Sequence, residues 1–121
     1  MPGRDSELTW APPPLQECDE ERWPIPLDEA YILSIRRVHW NGQLVAYAIV
    51  LTRMIGDRKL EIVCIDTMHH GSVHRHDGDH DAPHTVIRTI SSQEDVQESF
   101  DEAYDEVYNA YLKIMGMDEL R

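Results

Sequence analysis

Histidines are concentrated in one short segment of this sequence. Six of the seven histidines fall between residues 66 and 84, together with four aspartates. No structural role requires so many imidazole rings together, and histidine is the side chain that exchanges protons and binds metals near neutral pH. The segment therefore predicts proton transfer or metal binding. The alternative is a polar surface loop whose histidines have no function.

Two of these histidines are spaced for acid–base cleavage of RNA. His74 and His76 project to one side of an extended chain, because strand side chains alternate between two faces. Cleavage needs a base that takes the 2′-hydroxyl proton and an acid that protonates the leaving oxygen. His74 could work with either His76 or His84, and Asp66 is expected to orient one imidazole. The candidate phosphate-binding cations are Arg75, Arg53 and Arg88.

The same segment also fits a metal site. His74 and His76 could share one zinc or nickel ion, with Asp66, His80 or His84 as a third ligand. The set His74, His76 and His80 is the metal-binding alternative to the acid–base site. Three protein ligands would leave an open position, as in catalytic zinc sites, although a non-catalytic metal-binding module is equally compatible with the pattern. The acid–base hypothesis needs no cofactor, whereas this one predicts zinc.

The elements that position this segment are predicted by alternation and turn signals. Residues 30–40 and 43–54 are rich in aromatic and β-branched side chains, and Asn41-Gly42 between them is a strong hairpin signal. Residues 60–66 and 85–90 are the other two expected strands, on either side of the histidines. Four strands in this order predict an antiparallel meander.

A C-terminal helix is expected to follow the sheet. Ser91 or Ser92 can cap its first turn, and Gly116 can end it in the left-handed conformation. Between them an apolar stripe recurs every three or four residues, which predicts a helix packed on the sheet. It comprises Val96, Phe100, Ala103, Val107, Ala110 or Tyr111, and Ile114. The expected fold is α+β, an antiparallel meander of about four strands packed by one long C-terminal helix.

Charge divides the 121 residues into three regions. Residues 1–28 carry six of the seven prolines and a net charge of −5, and residues 93–121 carry −7. Residues 29–92 are neutral and hold every histidine, so an anion could still meet this region of a chain whose total charge is −12. We expect a Pro-rich acidic leader at residues 1–28 and a single α+β domain at residues 29–121.

The composition also suggests where the protein acts and a third possible function. No apolar run is long enough for a membrane helix, and the start lacks the pattern of a secretory signal, so a cytoplasmic protein is expected. The acidic helix face could instead serve a protein-interaction domain without any chemistry. The oligomeric state is left open.

The order of parts resembles the TumE-type family of small toxin-like proteins. The shared features are a strand ending in Asp66, then His70-Gly71 and His74-x-His76, and a closing amphipathic helix, over residues 30–114. The resemblance implies a toxin of a toxin–antitoxin pair with messenger-RNA endonuclease activity and a helix-turn-helix antitoxin as partner. Residues 77–84 and the acidic helix depart from the family pattern, and acidic faces would repel RNA unless they point away from the site.

Overall fold

In the computed structural model, residues 13–67, 71–78 and 85–116 are described. Over these ranges, six strands form a single antiparallel sheet in chain order, and one long helix follows. A 3₁₀ turn at Leu15–Glu17 precedes the first strand. The elements are β1 (Asp19–Pro26), β2 (Tyr31–Trp40), β3 (Gln43–Ile55), β4 (Arg58–Asp66), β5 (Ser72–Asp77), β6 (Thr85–Thr89) and α1 (Gln93–Met115).

The predicted hairpin joins β2 to β3. Asn41 and Gly42 both have positive φ angles, 51° and 79°. These angles fit a two-residue turn whose twist matches that of the paired strands. Trp40 pairs with Gln43 directly across the turn. The turn therefore fixes the register of the two longest strands, both of which lie inside the sheet.

Helix α1 begins and ends where its sequence signals lie. The Ser92 side chain accepts a hydrogen bond from the Asp95 amide, and Gly116 follows the helix with a φ of 74°. The Asp95 carboxylate in turn accepts hydrogen bonds from the amide and hydroxyl of Ser91. This carboxylate lies at the positive end of the helix dipole. Over the described residues, no helix combines the length and the apolar character that a membrane crossing requires.

The hydrophobic core lies between α1 and one face of the sheet, here called the helix face. Alternate residues of β2, β3, β4 and β5 point towards the helix and are almost completely buried, and the apolar stripe of α1 packs against them. Ile114 is the exception in the expected stripe, because its side chain is 46% exposed. The core includes Leu33, Ile35, Ile49, Leu51, Val63, Ile65, Val73, Val96, Phe100, Ala103, Val107 and Tyr111.

The α+β class, the antiparallel meander and the C-terminal helix are as predicted, but the described part of the sheet has two strands more than expected. β1 lies within the segment predicted to be a leader. It is an edge strand, where Pro24 and Pro26 are tolerated because one side of the backbone has no strand to bond. β5 lies within the histidine segment, whose polar side chains hide the usual apolar signal of a strand.

Candidate functional site

The β4–β5 pairing brings the predicted site residues together. Asp66 is the register partner of His74, and Cys64 is the partner of His76. Paired residues lie on the same face of a sheet, and so do residues two apart in one strand. All four side chains therefore lie on the face away from α1, here called the opposite face.

Two of these polar side chains are buried. Asp66 is 9% exposed and His76 is 7% exposed, although both are ionisable. Oδ2 of Asp66 lies 3.9 Å from Nε2 of His76. This distance is too long for a hydrogen bond between the two atoms, but a protonated His76 ring would be attracted to the carboxylate. Burial strengthens that attraction, because less water screens it.

Cys64 also contacts Asp66. The thiol donates a hydrogen bond to Oδ2 of Asp66 over 3.7 Å. Burial raises the pKa of the Cys64 thiol above its ordinary value of 9.0, and the negative charge of Asp66 raises it further. The thiol therefore stays protonated at neutral pH and acts as a hydrogen-bond donor rather than as a nucleophile.

His74 is more accessible than His76. Its side chain is half-buried, and its Nε2 lies 2.7 Å from the Ser72 hydroxyl in a hydrogen bond. Ser72 lies two residues before His74 in β5, so both side chains are on the opposite face. Ser72 therefore restrains the orientation of the more exposed of the two imidazole rings.

The end of β4 is held in place by Thr67. Its amide donates to the Tyr47 carbonyl over 3.1 Å, and its hydroxyl oxygen accepts from the Tyr47 amide over 3.1 Å. On the helix face, the Tyr47 hydroxyl donates to Ser99 of α1 over 2.9 Å. Burial raises the pKa of Tyr47 to about 12, so this phenol remains a donor. Asp66 is therefore linked to the core through its neighbour in the chain.

The three arginines predicted to bind phosphate are not on the imidazole side of the sheet. Arg75 lies between His74 and His76 in sequence and thus faces α1, where it pairs with Asp77 and Glu106. Arg88 pairs with three carboxylates of the helix, Asp95, Glu98 and Glu102, over 2.6 to 3.3 Å. The guanidinium of Arg53 lies 5.9 Å from the centre of the Tyr31 ring, also on the helix face.

Two other arginines, Arg22 and Arg36, lie on the opposite face. The register partners run from Arg22 in β1 through Arg36, Ala48 and Asp66 to His74 in β5. This line of five residues is called the cross-strand row below. These two arginines were not named from the sequence, because only the register across the sheet brings them near the histidine segment. The signal available in the sequence was the alternation of β2, which puts Arg36 on the other face of the strand from the buried Leu33 and Ile35.

A cavity of about 670 Å³ lies over this row. Its lining includes Arg22, Arg36, Ala48 and Asp66, and Pro13 and Pro14 form part of another wall. Ala48 has the smallest side chain in the row, so the floor of the cavity is lowest between the two arginines and Asp66. The cavity thus extends from the basic side chains of β1 and β2 to Asp66 at the end of β4, the strand next to the two imidazoles.

The remaining predicted ligands, His80 and His84, lie outside the described residues. Within residues 13–67, 71–78 and 85–116, no group of three or more His, Cys, Asp or Glu side chains is arranged to hold a metal ion. The metal set His74, His76 and His80 therefore stays a prediction. Of the predicted site residues, the structure brings together His74, His76 and Asp66.

Comparison of the chain with known protein families, with curated protein sequences and with solved structures found no match. The site geometry is therefore the basis for any functional conclusion.

Proposed function

We propose that this protein is a toxin-like endoribonuclease that cleaves RNA by acid–base catalysis at His74 and His76. The observation that carries the proposal is the placement of Asp66, His74 and His76 side by side on the opposite face. Two imidazoles on one face can serve as the base and the acid of a single reaction, and a carboxylate beside them can hold one ring in place.

The surroundings of the two rings favour different roles. His74 is the more exposed of the two rings, so we assign it as the base that takes the 2′-hydroxyl proton. His76 faces the Asp66 carboxylate, which attracts a protonated ring, so we assign it as the acid. The 2′-oxygen then attacks phosphorus, and the 5′-oxygen leaves with the proton from His76. The products are a 2′,3′-cyclic phosphate and a 5′-hydroxyl end.

The charge distribution supports the same proposal. The acidic side chains of α1 lie on the helix side of the sheet, away from the two imidazoles, and several of them are neutralised by Arg75 and Arg88. Repulsion between RNA and these acids is therefore weakest on the opposite face. The resemblance to TumE-type toxins suggests that an antitoxin protein restrains the activity in the cell.

Single alanine substitutions at the two histidines test the proposal. His74→Ala and His76→Ala should each lower the rate of RNA cleavage by about 100-fold or more, since general acid–base groups contribute about 100-fold to 10,000-fold. His39→Ala is the matched control, because His39 lies in β2, where its partner is Glu21. We expect that control to cleave at the wild-type rate. Circular dichroism should show that all three variants are folded.

Expression in bacteria provides the second readout. Wild-type protein without its partner should slow growth, and His74→Ala or His76→Ala should relieve the effect at equal soluble expression. A chelator added to the cleavage assay separates the two chemistries, because metal-free acid–base cleavage survives it and metal-dependent cleavage does not. Wild-type protein that neither cleaves RNA nor slows growth would show the proposal to be wrong.

A further inference from the structure

Arg22 and Arg36 are register partners on adjacent strands, an arrangement that needs compensation. Like charges directly opposite each other destabilise a sheet. One carboxylate, that of Glu20, contacts both guanidinium groups: it pairs with Arg22, and its Oε1 lies 3.2 Å from Nη2 of Arg36. Hydrogen bonds from Arg22 and then Arg36 lower the pKa of Glu20 below its ordinary value of 4.5. The single carboxylate thus compensates only one of the two guanidinium charges, and the cluster of Glu20, Arg22 and Arg36 keeps a net charge of +1.

Hydrogen-bonding capacity also remains in this cluster. Nε of Arg36 is buried, and among the residues that the structure describes it has no hydrogen-bond acceptor. The side chain as a whole is 27% exposed and lines the cavity. Nε itself is enclosed, so it is the exposed part of the guanidinium that can bind an oxyanion at the cavity, through charge-assisted hydrogen bonds.

We propose that Arg22 and Arg36 form a subsite for a phosphate of the RNA substrate, with Glu20 as the anion that occupies them in the absence of RNA. This inference rests on the proposed function. A phosphodiester carries one negative charge, which matches the excess charge of the cluster. Its free oxygens can accept from Arg36 while Glu20 retains Arg22.

The position in the row identifies which phosphate binds. Neighbouring strands are about 4.8 Å apart, so β2 lies about 10 Å from β4 and about 14 Å from β5. A phosphate at Arg36 is therefore too far from His74 to be the one that reacts. It belongs to a nucleotide flanking the cleaved bond, and the low floor at Ala48 leaves room for the strand between the two positions.

Binding of an uncleavable oligonucleotide tests this subsite. The probe is a fluorescent single-stranded 2′-deoxy oligonucleotide, which lacks the attacking hydroxyl, titrated with the full chain at low ionic strength. Arg36→Gln should weaken binding about tenfold, through loss of a charge-assisted contact. It should also reduce the salt dependence of log K by about 0.7, the value for one phosphate contact on a single strand.

Two further variants control the charge effect. Arg58→Gln makes the same chemical change at an exposed position near the β3–β4 turn, remote along β3 from Ala48, and should bind like wild type. Glu20→Gln removes the competing carboxylate and should bind about threefold more tightly. Because this effect has the opposite sign, destabilisation of the fold cannot produce it.

The results separate this inference from the proposed function. Equal affinity of the Arg36→Gln and Arg58→Gln variants, no gain in Glu20→Gln, or no binding by wild-type protein would overturn the subsite. Weaker binding in Arg36→Gln and tighter binding in Glu20→Gln would support it. If the binding results agree with the subsite but the protein does not cleave RNA, the anion site stands and the proposed ribonuclease function is wrong. If cleavage depends on His74 but Arg36→Gln binds the oligonucleotide as tightly as wild type, the ribonuclease function stands and the subsite is wrong.

Discussion

At the scale of single residues, the site depends on what burial does to each ionisable group. Asp66, His76 and Cys64 share a poorly solvated part of the opposite face, where every polar atom has strong effects on its neighbours. The Cys64 thiol responds by keeping its proton, which leaves proton transfer to the imidazoles. A nearby cysteine is thus excluded as the nucleophile by its surroundings rather than by its distance.

The reactivity of Cys64 should show this directly. Iodoacetamide should modify Cys64 slowly in the folded protein even at pH 9, because its pKa lies above the ordinary value of 9.0 and the side chain is buried. Peptide mass spectrometry can compare this rate with that of the half-buried Cys18 and with that of Cys64 in denaturant. Alkylation of Cys64 at the same rate in folded and denatured protein would contradict the assignment.

At the scale of elements, local signals in the sequence predicted the hairpin and the helix well. Asn41-Gly42 and the caps at Ser92 and Gly116 each require a particular backbone conformation, and the structure has it. β1 and β5 were missed because their residues are prolines, acids and histidines, and their strand conformation comes from pairing with β2 and β4. Tertiary pairing overrides weak propensity in such strands.

The difference between local sequence signals and tertiary strand pairing also explains which parts of the site could be predicted. The alternation of His74 and His76 was enough to place both imidazoles on one face. It also implies that Arg75 faces the other way, so the position of Arg75 between the two histidines does not place it beside them in the fold. Arg36 could not be found from the histidine segment, because only the register across β3 brings it into the cross-strand row.

The hairpin between β2 and β3 is open to a direct test. Gly42→Ala should lower the free energy of unfolding by about 1 kcal/mol, the cost of a side chain in the left-handed region. A Cβ at this position would meet no atom within 4 Å, so steric contact adds nothing. Urea denaturation should measure the loss, and Gly42→Asn should lose less, because asparagine tolerates this conformation. Equal stability of Gly42→Ala and wild type would contradict the turn assignment.

At the scale of the whole molecule, Asp28 connects the start of β2 with the end of α1. Its carboxylate accepts a hydrogen bond from the Tyr111 hydroxyl over 2.6 Å and from the amides of Ala30 and Tyr31. The Tyr111 bond, followed by the Ala30 bond, lowers the pKa of Asp28 below its ordinary value of 3.8. The same carboxylate raises the pKa of Tyr111 to about 12. Two distant parts of the chain are therefore coupled through one ionised group.

Acid should weaken this connection. Because the pKa of Asp28 is lower in the folded than in the unfolded chain, its stabilising contribution is complete above pH 3.8 and is lost as the pH falls through the folded value. Asp28→Asn should melt at a lower temperature than wild type at pH 7, and the difference should shrink in acid. Thermal melts followed by circular dichroism measure both. A difference that stays constant with pH would contradict the role of the charge.

The alternation that defines the site also restricts how this chain can change in length during evolution. Removal of Arg75 alone would make His74 and His76 neighbours, which point to opposite sides of a strand. Insertion of two residues between them would keep both on one face, and changes in the turns would not alter their facing. Descendants that keep both imidazoles on one face should therefore differ between His74 and His76 only by even numbers of residues, whereas odd insertions and deletions should be confined to the connecting turns.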